Sequence, residues 1–340
     1  MPFAKISNLV ALLLFTSLAV LAVNFILVHG QVSGFFAGLN AQCPSLSLGD
    51  TTPYRLFYTG IHSIDETLCG IVAMFHSSFD PSVSQFLTYF LISGLPVMAH
   101  VYLESYRPNK PIVLALPVIF VQAMQFLSFG VTFSVYWMLF VVSGAAQSAP
   151  LGRQSMITIA HAQAVLFGIF ISIILTGCLM VLQDPYITAI WQVFPAVVSI
   201  ASLLHLFIRP ASRYPDSGFS VIRGSYIASF IVISSLHISI LTSNSLDELK
   251  SLFLPSIHVL PSSAPLERHS LNLLQWDAVF GFSSSLLGTL WFGRNTKEIV
   301  ALFAWSIFGS VLAGPGAAFA ASALWRESCL HAGTKNGKSE

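Results

Sequence analysis

Apolar residues run in long blocks along this chain, with short polar breaks between them. Residues 8–28 form the first block. At 1.5 Å per residue it is long enough to cross the ~30 Å core of a bilayer. Further blocks cover residues 85–102, 156–182, 186–208, 224–242 and 271–292. Residues 111–148 would make one helix of about 57 Å, too long for a bilayer, so the run is expected to divide near Ser128–Gly130. A last block, 299–324, is interrupted by Gly314-Pro315-Gly316. Residues 31–55 and 244–268 read as connections, and 331–340 as a short disordered tail. The expected fold is all-α: a polytopic transmembrane helix bundle of eight to ten spans, forming a single domain over residues 1–330.

Composition agrees with that pattern. Hydrophobic residues make up 55% of the 340, and charged residues only 9% against about 25% in soluble domains, so lipid is the expected solvent. A net charge of +1 with no basic run before the tail excludes nucleic acid as a partner. If residues 57–80 do not cross, Lys5, Arg107 and Lys110 fall on one side, which the positive-inside rule places in the cytosol. The first block carries the features of an anchor more than those of a cleaved signal, although Val28-His29-Gly30 before Gln31 resembles a cleavage site. Four cysteines without CxxC spacing argue against a zinc site or a disulfide framework. Cys43 and Cys69 are expected to be free and buried unless both face an oxidising lumen.

Against so apolar a background, residues 57–80 are unusual. They hold His62, Asp65, Glu66, Cys69, His76 and Asp80. On a helix, His62, Asp65, Glu66 and Cys69 share one side. His62 is placed to orient a proton on either carboxylate. A carboxyl group facing an apolar cavity stays protonated at neutral pH, as a general acid requires. The bland alternative is a solvated interfacial pair. A third candidate is Asp277, inside a predicted span and beside Trp276. Glu104 and His100 are candidates for substrate contact. Their bland accounts are pairing with Arg107 at i+3 and a helix-contact histidine.

Several chemistries lack their motifs. No DDxxD or DxxxD is present to hold magnesium and diphosphate, no HxxH or HxxxH, no GxSxG and no Walker loop. No cofactor and no metal is expected. What remains is acid chemistry on an apolar substrate, or transport. A cation moving along a prenyl chain needs aromatic faces and exclusion of water. Phe57, Tyr58, Phe75, Tyr136, Trp137, Trp191, Trp276 and Trp291 are the candidates to line such a cavity.

In size, in spans over the whole chain, in the acid-bearing segment YTGIHSIDETLCGIVAMFH (58–76) and in Trp276-Asp277, the sequence resembles the fungal integral-membrane terpene cyclases of meroterpenoid pathways. It is closer to the larger macrophorin and ascofuranone type than to the shorter paspaline type. The resemblance implies an endoplasmic-reticulum enzyme that protonates a terminal alkene or epoxide of a farnesyl-type chain on an aromatic or polyketide head and cyclises it. Asp65 or Glu66 would be the acid, oriented by His62, and Asp277 a second acid or the terminal base. A prenyltransferase and an epoxidase would be its functional neighbours. The alternative function is a multipass transporter or exporter of an apolar metabolite, suggested by the broken last span.

Overall fold

The computed structural model describes residues 2–43, 54, 56–146 and 156–336. Residues 44–53 and 55 of the expected 31–55 connection, Arg153 and the end of the expected tail lie outside them. Among the described residues the chain is helical, with no strand and a single isolated antiparallel bridge between Thr158 and Ser217.

Helix α1 (Pro2–Ala22) continues through a π-helical stretch, Val23–Val28, into α2 (His29–Val32). The portion from Ile6 to Val32 is, among the described residues, one of five helices long and apolar enough to cross a membrane. The others are α5 (Pro81–Ser105), α8 (Ile159–Leu182), α11 (Phe219–Ser243) and α14 (Thr296–Ala313). Helices α9 (Pro185–Trp191) and α10 (Phe194–Ile208), bent by 60°, make a sixth if taken together. Pro195 beside the break explains the bend, because proline at the first turn of α10 cannot donate back into α9.

The expected eight to ten spans are not reached by length and apolarity, and the reason is local. Residues 111–148 divide at Ser128, as expected, but into α6 (Pro117–Leu127) and α7 (Phe129–Val142), each too short to cross alone. The expected 271–292 span divides between α13 (Leu266–Gly288), diluted by Asn272, Gln275, Asp277 and three serines, and a 3-10 turn, Thr289–Phe292. The last block is not one interrupted span. Gly314, at φ +93°, ends α14, and α15 (Pro315–Asn336) packs back against it, with Trp305 Nε1 donating to the Ala318 carbonyl at 3.0 Å. Helix α15 also runs past His331, where a disordered tail was expected. His331 stacks on Phe219 at 4.2 Å, which ties down that last stretch.

The bundle has polar groups inside and apolar side chains outside. Phe170, Ile174 and Val181 of α8, Phe207 and Ile208 of α10, and Phe308, Val311 and Leu312 of α14 are exposed, while Ser93, Ser134, Gln275 and Asp277 are buried. That arrangement suits a bilayer and would be unstable in water. Membrane association follows.

One end of α5 holds a buried ion cluster. Glu104 Oε1 accepts from Arg107 Nη2 at 2.6 Å and from Arg326 Nη1 at 2.7 Å, and Arg107 also pairs with Glu327. Arg326 lies over the Phe292 ring, 4.6 Å from its centroid. The i+3 pairing of Glu104 with Arg107 was legible in sequence. The contribution of α15 was not.

The cysteine expectation is corrected. Cys43 and Cys69 form a disulfide. It joins the end of α3 (Phe35–Ala41) to α4 (His62–Ser77), two helices that pack together and so bring the thiols within bonding reach. The expected 244–268 connection contains a helix, α12 (Leu246–Phe253). Ser245 and Glu248 start it with a reciprocal capping box.

Candidate active site

The α6–α7 break has a specific geometry. Ser128 sits at φ 107°, a region that side chains rarely adopt, and its hydroxyl caps α7 by accepting from the Val131 N–H at 3.2 Å. The first N–H groups of α7 are left without intrahelical partners. Asp277 of α13 supplies one: its Oδ1 accepts from the Gly130 N–H at 2.6 Å.

Close helix packing places that carboxyl. A Cβ on Gly281 would lie 1.9 Å from Phe129 Cδ1, and one on Gly130 would lie 2.7 Å from Phe280 Cβ. Neither position accepts a larger residue unless the facing phenylalanine or the helices themselves shift. Trp137 Nε1, donating to Ser285 Oγ at 3.1 Å, fixes the same pair of helices further along.

Asp277, Ser128 and Phe129 line a cavity of about 760 Å³. Its walls come from the π-helical stretch after α1 and from α3 to α10 and α13, and they are mostly apolar, of the size that holds a small molecule. Aromatic rings form much of the lining. Phe75 meets Trp191 edge-on at 5.0 Å, Trp191 meets Phe194 at 5.2 Å, and Phe90 meets Phe129 at 5.9 Å. Trp191 is held by Nε1 donating to Thr176 Oγ1 at 3.0 Å. Among the described residues no three His, Cys, Asp or Glu side chains are grouped to hold a metal ion.

The sequence candidates separate in space. Asp277 is buried and lines the cavity. Glu66 lines it too, but is exposed. Asp65 turns the other way. Its carboxylate accepts from Thr59 N at 2.7 Å, Thr59 Oγ1 at 2.8 Å and Gly60 N at 3.1 Å, closing the turn before α4. Desolvation opposes the charged form, but these donors outweigh it and hold Asp65 below the usual carboxylate range. A carboxylate so held is a poor proton donor. His62 is exposed at the start of α4 and does not line the cavity.

The expected substrate-contact residues lie elsewhere. Glu104 is in the ion cluster. His100 is buried among aromatic rings, 5.5 Å from Trp137 and 5.6 Å from Phe319. Trp276 stacks on Phe25 at 4.2 Å and donates to the Ser256 carbonyl at 3.0 Å. None of the three lines the cavity. Of the expected aromatic lining, Phe75 and Trp191 are present, whereas Trp291 donates to Ser7 Oγ on α1. Sequence reasoning missed Phe90, Phe129, Phe194, Asn40 and Ser128. Only Ser128 had a signal, the expected helix break.

Comparison with known proteins gives three findings. A family model described as the CtvD domain matches residues 9–331. A curated protein of Acremonium egyptiacum described as terpene cyclase AscI is 23% identical over 249 residues, covering 66% of this chain. The matched stretch spans 65% of that relative's length. No solved structure matches.

Proposed function

We propose, from the premise that this chain belongs to the CtvD-domain family of fungal meroterpenoid terpene cyclases, that it is a multi-pass enzyme of the endoplasmic-reticulum membrane cyclising a prenylated, farnesyl-type precursor. The observation that carries this reading is the buried Asp277 carboxyl, anchored at a helix break and facing an aromatic-lined cavity.

The chemistry follows from that arrangement. Asp277 in its neutral form keeps one oxygen on the Gly130 N–H and directs the acidic proton into the cavity. Transfer of the proton to a terminal alkene or epoxide leaves the carboxylate and a carbocation, with C–O cleavage in the epoxide case. The next double bond donates its π pair to the cation, a C–C bond forms, and the charge moves along the chain. Phe90, Phe129, Trp191 and Phe194 present ring faces and edges to that path, and a desolvated cation–π contact contributes about 2 kcal/mol. The apolar walls keep water from quenching the cation. Loss of a proton ends the reaction, so the product is an isomer of the substrate. No metal or cofactor enters these steps.

Prenyl transfer must supply the substrate, and alkene epoxidation must supply it where an epoxide is protonated. Counting α6–α7, α13 and α15 with the long helices gives a bundle in the range of eight to ten crossings. The second reading is transport of an apolar metabolite, favoured by the breaks at Ser128 and Gly314. Microsomes containing the chain, given a farnesylated phenol and its terminal epoxide, separate the two. A cyclised product of unchanged mass supports the cyclase. Unaltered substrate, with uptake into sealed vesicles, overturns it.

A further inference from the structure

The cavity has an exposed edge that carries polar groups. Asn40, Glu66 and Thr67 line it and are exposed, so they form the polar part of its rim, and the exposed Phe126, Leu127 and Ile173 form the apolar part. Asp277 lines it and is buried, so it lies at depth. Along α5 the lining runs from Leu87 to Met98, about 16 Å at 1.5 Å per residue. That length accepts an isoprenoid chain, and the width leaves room for it to fold. The Asn40 and Glu66 side chains make no hydrogen bond among the described residues, so their donors and acceptors are available to a ligand. The rim is also fixed in place. Cys43 lies one turn beyond Asn40 and Cys69 one turn beyond Glu66, and the disulfide between them joins the two helices that carry these groups.

We infer that Asn40 and Glu66 are specificity-determining residues that bind the oxygenated head of the substrate, a phenol or related aromatic hydroxyl compound, and that the prenyl chain threads inward with its far end at Asp277. This rests on the cyclase reading for the identity of the chain, but the threading is a property of the cavity itself. Glu66 accepts from the phenolic O–H, and the Asn40 amide pairs with a second head-group oxygen. The buried acid then meets the end of the chain most distant from the head. The reverse orientation would leave a hydrocarbon end among the exposed polar groups Asn40, Glu66 and Thr67.

The test uses ligands that cannot cyclise: a tritiated phenol bearing a saturated farnesyl chain, and the same saturated hydrocarbon without the phenol. Binding is measured on the detergent-solubilised full chain. The wild type is expected to prefer the phenol by about tenfold, the equivalent of about 1.4 kcal/mol. Asn40→Ala with Glu66→Gln should reduce that preference to about twofold, and Asp277→Asn should leave it intact. Each single variant is read as well. Both positions are exposed, and retained hydrocarbon binding shows that the cavity is formed. A preference that survives in the rim variants, or is lost in Asp277→Asn, overturns the inference. Turnover in microsomes is scored separately. A rim-dependent preference without cyclised product sinks the cyclase reading and keeps the rim. Cyclised product with a rim-independent preference does the opposite.

Discussion

Asp277 Oδ1 lies 2.6 Å from the backbone nitrogen of Gly130, so an acid on α13 closes the open N-terminus of α7 at the point where α6 ends. One contact thereby joins fold and chemistry. The carboxyl completes a broken helix on one side and faces the cavity on the other.

Asp277→Asn preserves the first role and removes the second. The amide oxygen still accepts from Gly130, so the protein should enter microsomes at the wild-type level. The amide is no general acid, and cyclisation should fall by about 10²–10⁴-fold. Product measured by mass spectrometry, normalised to protein by immunoblot, checks this. Wild-type turnover by the variant would exclude Asp277 as the donor.

Asp65→Asn should behave differently. Asp65 lies outside the five candidate spans, and its pKa is lowered by donors from Thr59 and Gly60. A group with a depressed folded pKa contributes stability above its unfolded pKa and loses it as pH falls through the folded value. The variant should therefore melt below the wild type at pH 7, with the gap closing in acid below the usual carboxylate range. Turnover per folded molecule should persist. Melting curves of solubilised protein at both pH values, beside the microsomal assay, test both parts.

Helical spacing puts His62, Asp65, Glu66 and Cys69 on one side, but that side carries three different jobs: a turn closure, a cavity rim and a disulfide. The distinction depends on Thr59, Gly60 and Cys43, which arrive from outside the helix. The all-helical fold and the break at Ser128 were legible because apolar runs and bilayer dimensions constrain them strongly. The contacts of Glu104 with α15 and of Asp277 with α7 were not, since neither spacing nor composition reports which helices become neighbours.

Gly281→Ala tests the packing that positions the acid. The new methyl would lie 1.9 Å from Phe129 Cδ1, so the ring or the helix must move. Overpacking of this kind costs roughly 1–3 kcal/mol. Because Phe129 lines the cavity, kcat should drop even though Asp277 is untouched. The thermal midpoint and steady-state kinetics measured together reveal this. A lowered midpoint with unchanged kcat would uncouple Phe129 from the reaction.

Glu104→Gln separates substrate contact from structural support. Glu104 is buried against both Arg107 and Arg326. Its removal takes away the carboxylate that Arg326 bonds and one of those that Arg107 bonds, and breaking a buried ion pair costs roughly 3–5 kcal/mol. Stability should fall sharply, with KM unchanged for the molecules that remain folded, because Glu104 does not line the cavity. A raised KM at undiminished stability would restore it as a substrate contact.

The disulfide and the basic residues together set the orientation of the chain. Under the proposed endoplasmic-reticulum location, Cys43–Cys69 calls for the oxidising side, so α3 and α4 are expected in the lumen. The Ile6–Val32 span then starts in the cytosol, and α5 returns Arg107 and Lys110 to the side of Lys5, in agreement with the positive-inside rule. Single substitutions can test each side, since the N-x-Ser/Thr sequence is glycosylated only in the lumen. Phe57→Asn creates an acceptor sequence with Tyr58 and Thr59, at an exposed position before α4. Pro111→Thr creates another from Asn109 and Lys110, beyond the end of α5. A glycosidase-sensitive gel shift is expected for the first variant and none for the second. The reverse pattern would invert the topology and put the cavity rim, with its disulfide, in a compartment that would reduce it.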